Sequence, residues 1–209
     1  KAEADKKLEA ERASFQMCRF TPNTVTKRID WILSYTLQRA RSSLILGDGG
    51  IGKTAGKDRW CEENNHGRSV SINCLPIGGA KGLLVQVAQK VGVNQNMSLA
   101  QMLPAVVRAF NSNRILVLDE IQHLIPTSVR TPPVALELAR RIADLSGCAL
   151  AMFGTIRVSS NLESQPYFYE QLVRRCGKPY YLPDKFVAED VTPIITQFIP
   201  RPSSDFESI

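Results

Sequence analysis

Apolar residues recur along this chain with two different periods. Val25, Ile29, Ile32, Leu33 and Leu37 fall at helical spacing behind the loop Thr21-Pro22-Asn23-Thr24, so a helix capped at its start is predicted over 24–41, with one face on a core. Short apolar runs at 43–46, 69–74, 114–119, 149–153 and 180–182 read as strands. The run Ile115-Leu116-Val117-Leu118 is unbroken, the pattern of a parallel strand covered on both faces. Between the strands, helices are predicted over 53–64, 81–91, 98–110, 132–146, 167–175 and 187–198. Ser98 and Gln101 form a capping box for the third of these, and Pro132 opens the fourth. Pro76, Gly78 and Gly79 mark 75–80 as a loop, and 126–131 is another. The order βαβαβαβαβ with extra helices predicts a three-layer α/β domain, and no internal repeat is visible. The first fourteen residues mix Lys, Glu, Ala and Arg and read as a solvated helix or frayed extension, and residues 200–209 carry Pro, Ser and acids.

The first strand runs into Gly47-Asp48-Gly49-Gly50-Ile51-Gly52-Lys53-Thr54, which fits GxxxxGK[ST] at every fixed position, directly before a helix. Glycines let successive backbone N–H groups turn inward around phosphate oxygens, at a helix start whose dipole also favours the anion. Residues 47–55, Ala55 included, are the candidate nucleotide cradle. Lys53 would neutralise the β and γ phosphates, and Thr54 would give its hydroxyl to Mg²⁺. A glycine-rich turn with an accidental lysine is the bland alternative.

Leu116-Val117-Leu118-Asp119-Glu120 puts two carboxylates at the carboxyl end of a buried strand, where ligands bind in open parallel sheets. Asp119 is the candidate for the Mg²⁺ shell. Glu120 is the candidate base that polarises a water for attack on the γ phosphate, the step that separates hydrolases from kinases with the same loop. An acidic cap on the following helix is the competing explanation.

One strand lies in sequence between the phosphate-loop strand and the Asp119 strand, and another follows. This order suits P-loop ATPases in which the fourth strand inserts between those two. Its tip, Phe153-Gly154-Thr155, would then sit beside the γ phosphate with Thr155 as sensor; a capping or turn threonine is the other reading. Arg174 and Arg175 close a helix, where the dipole favours cations. They also suit an arginine finger reaching a neighbouring subunit's phosphate, which requires an oligomer.

Together GDGGIGKT, LVLDEIQHL, ALAMFGT and FYEQLVRRCGKPYYLPDKFVAEDV resemble the AAA+ ATPases that regulate DNA transposition, of the MuB and TnsC types, over most of residues 24–199. The resemblance implies a P-loop fold with a five-stranded parallel sheet, and ATP-promoted assembly of a ring or helical filament on duplex DNA that recruits a transposase. It implies that Arg175 is the finger and Arg174 its neighbour. It also implies that Lys81 and Arg130 face the DNA backbone from inner loops, a contact that is sequence-nonspecific and salt-sensitive. A helix-start surface lysine and an ordinary loop charge are the bland readings of these two. The expected organisation is a charged extension over 1–22, the ATPase core over 23–183, and a lid remnant with tail over 184–209. The helical lid is expected to be minimal or truncated, and Arg201 is not assigned its sensor role. A signalling or defence switch without DNA, and a replication-type loader, are the other functions this fold suits.

Composition narrows the picture only at its edges. With 44% hydrophobic and 22% charged residues the chain suits a globular protein and excludes collagen-like and disordered classes. No apolar run approaches the roughly 18 residues a membrane span needs, and the start KAEADKKLEAERASF is charged where a signal peptide is apolar. A soluble, cytoplasmic protein without a membrane partner is expected, with its native N-terminus missing because the chain begins at Lys. Cys18, Cys61, Cys74, Cys148 and Cys176 lack CxxC spacing and the histidines are His66 and His123, so reduced thiols are expected rather than disulfides or zinc. The 26 Lys and Arg against 20 Asp and Glu leave +6, which permits a polyanionic partner.

Overall fold

The structure, a computed structural model, describes residues 21–128, 130–185 and 187–198. Residues 1–20 of the charged extension, Cys18 among them, Arg201 and the proline-containing tail lie outside these. In chain order the elements are α1 (Thr24–Gln38), β1 (Ser42–Leu46), α2 (Lys53–Glu63), β2 (Ser69–Asn73), α3 (Gly79–Lys90), α4 (Leu99–Ala109) and β3 (Ile115–Asp119). A 3-10 turn (Ile121–Leu124) follows, then α5 (Val134–Ser146), β4 (Ala149–Gly154), α6 (Arg157–Ser164), α7 (Pro166–Cys176), β5 (Tyr180–Tyr181) and α8 (Ala188–Phe198).

The strands form one five-stranded sheet in the order β2-β3-β4-β1-β5, every pair parallel. The fourth strand inserts between the first and third, as the motif order predicts. Both faces are covered, which explains the unbroken apolar runs: all five residues of β3 and all six of β4 are buried. Alternate residues divide between two cores. Ile45, Ile115, Val117, Ala149, Ala151 and Phe153 face α1 and α2, joined by Ile29, Ile32, Leu33 and Trp60. Leu44, Leu46, Leu116, Leu118, Leu150 and Met152 face the helices α3 to α7. The result is the three-layer α/β architecture of the sequence reading.

On the α1 side the two helices approach closely at Gly56, where an added Cβ would come within 3.0 Å of Ile29 Cδ1. Trp60 Nε1 donates to Ser34 Oγ at 3.0 Å across the same contact. The capping box forms as expected, with Gln101 N–H donating to Ser98 Oγ at 3.4 Å and Ser98 N–H to Gln101 Oε1 at 3.3 Å. Among the described residues no helix is long and apolar enough to cross a membrane.

Several boundaries differ from the sequence expectation. α1 ends at Gln38, β4 continues through Gly154, and α3 begins at Gly79, so Gly79 and Ala80 are helical rather than loop. Helix α6 is absent from the sequence reading, because only Val158 and Leu162 of its eight residues are buried and a single i,i+4 pair does not establish a period.

The described residues divide into two compact units, one over Val25–Lys185 and the other taking in 21–24 and 187–198. In the second unit, Thr24 N–H and Oγ1 both donate to Asp190 Oδ1, at 2.6 and 2.9 Å. In the first, Phe153 is fully buried at the middle of the sheet. Phe153→Ala is expected to cost about 3–5 kcal/mol, seen as a lower urea midpoint with an unchanged denaturant slope.

Candidate functional site

β1 ends at Leu46, and the chain turns through residues 47–52 into α2. Gly47 N–H donates to the Gly154 carbonyl at 3.2 Å, which ties the start of the turn to the tip of β4. Ile51 is buried in the core beneath α1 and α2, whereas Asp48, Gly49 and Gly50 are exposed at the rim. Gly52 is the N-cap of α2 with φ 86°, a left-handed conformation that glycine adopts without steric penalty, and it brings no side chain to cap the helix. The N–H groups of Lys53, Thr54 and Ala55 therefore open α2 without a side-chain cap among the described residues, at the positive end of its dipole. Lys53 is buried and folds over the loop, donating from Nζ to the carbonyls of Gly47 at 2.9 Å and Asp48 at 2.5 Å. Burial lowers its pKa, and the carboxylates of Glu120, Asp119 and Asp48 work in the opposite direction.

Asp119, 1% exposed, closes β3. Its Oδ2 accepts from Thr54 Oγ1 at 3.0 Å and lies 3.0 Å from Nζ of Lys57, one turn beyond Lys53 on α2. Its Oδ1 accepts from Glu120 N–H at 2.9 Å. The Lys57 ammonium also stands 2.9 Å from Asp58 Oδ1. Burial disfavours that ammonium, but hydrogen bonding to Asp58 and the charge and hydrogen bond of Asp119 outweigh it and raise its pKa above 10.5. A folded-state pKa above the unfolded value favours folding at neutral pH, and the contribution is lost only as pH rises through the lysine range.

Glu120 takes φ 58°, ψ 41°, the left-handed region that costs a residue with a Cβ roughly 1–2 kcal/mol. Its Oε2 accepts from Gln122 Nε2, and Gln122 Oε1 is buried without a hydrogen-bond partner among the described residues. The 3-10 turn carrying Gln122 is anchored to the end of β2 by a 2.9 Å bond between His123 Nδ1 and the Cys74 carbonyl. Thr155 follows the tip of β4, directly after Gly154, and α6 takes Ile156 as its N-cap without a side-chain capping bond, so Thr155 does not serve as that cap.

The AAA domain family matches residues 36–162, well over half of the chain and the whole span from the end of α1 to α6. The chain belongs to the AAA domain family. No curated protein matches the sequence. In structure this AAA domain is similar to the ORC2 protein of Aeropyrum pernix in its ADPNP and ADP complexes, with TM-score 0.62 and 16% identity over 89% of this chain and 55% of that one. It is also similar to Cdc6p from Pyrobaculum aerophilum, with TM-score 0.59 and 18% identity over 85% of this chain and 50% of that one. The likeness at these identities is one of fold, and the chain spans about half the length of the structures it matches. The match to the AAA domain family does not reach the narrower MuB and TnsC resemblance.

An AAA domain implies a nucleotide and typically Mg²⁺, and the residues present fit both. The uncapped start of α2, the open glycine rim and a buried lysine form an anion cradle, and a hydroxyl beside a buried carboxylate is an oxygen donor set that suits a hard divalent cation. Lys53, Thr54, Asp119 and Glu120 thus converge in one place. Lys57 and Gln122 join them and are absent from the sequence reading; the available signal for Lys57 was its i,i+4 spacing from Lys53 on one helix face.

The remaining candidates stand apart from this cluster. Arg174 and Arg175 line a polar cleft with Arg41, Ser42, Asp144 and Cys148, beside the first residues of β1 and β4, at the end of the sheet opposite the phosphate loop. Arg175 Nε lies 3.3 Å from Asp144 Oδ1, and its side chain is 59% exposed. Lys81 is exposed in the first turn of α3, and exposed Arg130 donates its N–H to Ser128 Oγ at 3.4 Å in the loop before α5. Both segments leave the carboxyl end of the sheet. The cysteines 61, 74, 148 and 176 are free thiols, and burial first, with Asp119 adding to it, pushes Cys74 up to about 12, so the thiol beside the site is protonated at neutral pH.

The strain at Glu120 is testable without any ligand. Glu120→Gly is expected to raise the unfolding free energy by up to about 1 kcal/mol, because left-handed relief exceeds the entropy that glycine adds to the unfolded chain. Lys27→Gly, on the exposed face of α1, should instead lower it by about 0.5–1 kcal/mol in the same urea titration.

Proposed function

We propose that this AAA domain binds Mg²⁺ and ATP, hydrolyses the nucleotide at the junction of neighbouring subunits, and uses the bound nucleotide to assemble on duplex DNA. The observation that carries the reading is the convergence of Lys53, Thr54 and Asp119, with Glu120 one residue beyond, at the carboxyl end of β1 and β3. When bound, the divalent ion supplies positive charge to the β and γ phosphate oxygens.

The chain's own residues account for the rest. Backbone N–H groups of residues 47–55 bind phosphate oxygens, and Lys53 exchanges its two carbonyl partners for them, a move its buried position favours because a charged partner replaces neutral ones. Thr54 Oγ1 and Asp119 Oδ2 hold the divalent ion's side of the site. Glu120 takes a proton at its carboxylate from an attacking water, with Gln122 orienting that carboxylate. Thr155, at the tip of the strand between β1 and β3, is placed to report the terminal phosphate. Arg175 serves a neighbouring subunit, since it lies at the far end of its own sheet, and this supports a ring or filament of identical subunits.

Lys81 and Arg130, both exposed on the carboxyl side of the sheet, are the proposed contacts to DNA phosphates, in keeping with the +6 charge. The motif resemblance, which extends through the helix ending at Arg175 to Val191, is what supports regulation of a transposase. A replication-type loader acting on a protein partner is the second reading, supported by the fold likeness to Cdc6p.

Lys53→Ala should abolish ATP and ADP binding in fluorescence titration. Glu120→Gln should keep binding and assembly while turnover falls about 10²–10⁴-fold; normal hydrolysis by that variant removes Glu120 as base. Arg175→Ala should lose turnover and regain part of it on mixing with Lys53→Ala subunits. Duplex DNA sedimentation with ATP, ADP or neither across a salt series tests assembly. Affinity that ignores both nucleotide and salt eliminates the DNA reading.

A further inference from the structure

Lys57 has no part in the phosphate-loop pattern, yet it is the most deeply engaged cation beside the site. Its side chain is 4% exposed and its ammonium lies between two carboxylates, Asp119 Oδ2 at 3.0 Å inside and Asp58 Oδ1 at 2.9 Å outside, where the Asp58 side chain is 52% exposed. Asp119 is engaged at both oxygens by groups of the chain itself: Thr54 Oγ1 and Lys57 Nζ on one oxygen, Glu120 N–H on the other. A buried carboxylate without a counter-charge is costly, so one of these partners has to carry positive charge whenever a metal is absent. Lys57 is the only one of the three that does.

We propose that Lys57 is an internal counter-cation of Asp119, a positioning residue that keeps the metal-facing carboxylate in place and that a divalent ion must displace toward Asp58. The assignment rests on the Mg²⁺-nucleotide reading given above. Two cations cannot share Oδ2 without repulsion, and the ammonium already touches the carboxylate that can receive it. The side chain therefore sets how much Mg²⁺ the site needs. It lowers metal affinity by competing for Asp119, and Asp58 limits that competition by offering the ammonium a second place.

Lys57 and Asp58 give variants of opposite sign. The probe is MANT-ADP fluorescence on the full chain, titrated with Mg²⁺ from an EDTA baseline, with thermal melting of the nucleotide-free protein alongside. Lys57→Met should reduce the Mg²⁺ concentration for half-maximal binding about tenfold, and its melting temperature should fall without metal and recover on adding Mg²⁺ with MANT-ADP by more than the wild type gains. Asp58→Asn, a surface change expected to fold normally, should raise the half-maximal Mg²⁺ concentration, because the ammonium then has Asp119 alone. A purely structural Lys57 predicts a melting change in the first variant and no metal shift in either. If Lys57→Met fails to fold, Asp58→Asn decides: a raised metal requirement supports the displacement and an unchanged one overturns it. Unshifted metal curves in variants of a wild type that binds MANT-ADP overturn the Lys57 assignment alone. A wild type that binds no MANT-ADP at any Mg²⁺ concentration overturns the nucleotide reading itself.

Discussion

Parallel pairing of β4 between β1 and β3 is the constraint on which the site depends. Strand β1 lies beside β4 in a register that sets Leu46 against Gly154, and β3 lies on the other side with Leu118 against Met152. All three strands point the same way, so the phosphate loop, Asp119 and Thr155 leave the sheet at one end, the carboxyl end of the strands. The backbone bond from Gly47 to Gly154 carries the ladder one step into the loop. Nothing in the loop's own sequence could bring a carboxylate 65 residues away to Thr54; the sheet does so. Apolar burial on both faces in turn holds the strands in that order.

Around Asp119 the protein departs from the usual preference against buried charge. The carboxylate is nearly inaccessible, and three donors from two elements converge on it. One residue on, Glu120 is held in a backbone region that its Cβ disfavours. Buried charge and backbone strain in adjacent residues form a pattern found at functional sites more than in scaffolds.

The sheet was legible because its signal is local and redundant. Ile115 to Leu118 is apolar without interruption, and a strand covered on both faces requires that. The phosphate loop was legible because backbone geometry dictates glycine and the charges sit at fixed offsets from it. Helix α6 was not, since Val158 and Leu162 carry its whole buried face, and boundaries slipped by one to three residues, most at the end of α1, where Ala40 turns left-handed at φ 45°. Lys57 was marked only by its i,i+4 spacing from Lys53, which does not tell a buried lysine from an exposed one. Helix α2 is polar nearly throughout, so a further lysine reads as solvated surface; only the nearness of the end of β3, a non-local fact, buries it. The Arg175 to Asp144 contact joins α7 to α5 and is equally invisible from either segment alone.

In the assembly proposed for this domain, the placement of Arg175 at the end of the sheet remote from the phosphate loop has a geometric consequence. A subunit whose donor and acceptor lie at opposite ends, repeated in one direction, makes heterologous contacts, and each added copy completes one site while presenting another that is incomplete. Such an assembly is polar. With Arg175 acting across subunits as proposed, one terminus would expose an arginine with no site to serve and the other a site with no arginine, so growth and loss at the two tips would be governed by different chemistry. Only closure into a ring removes the distinction.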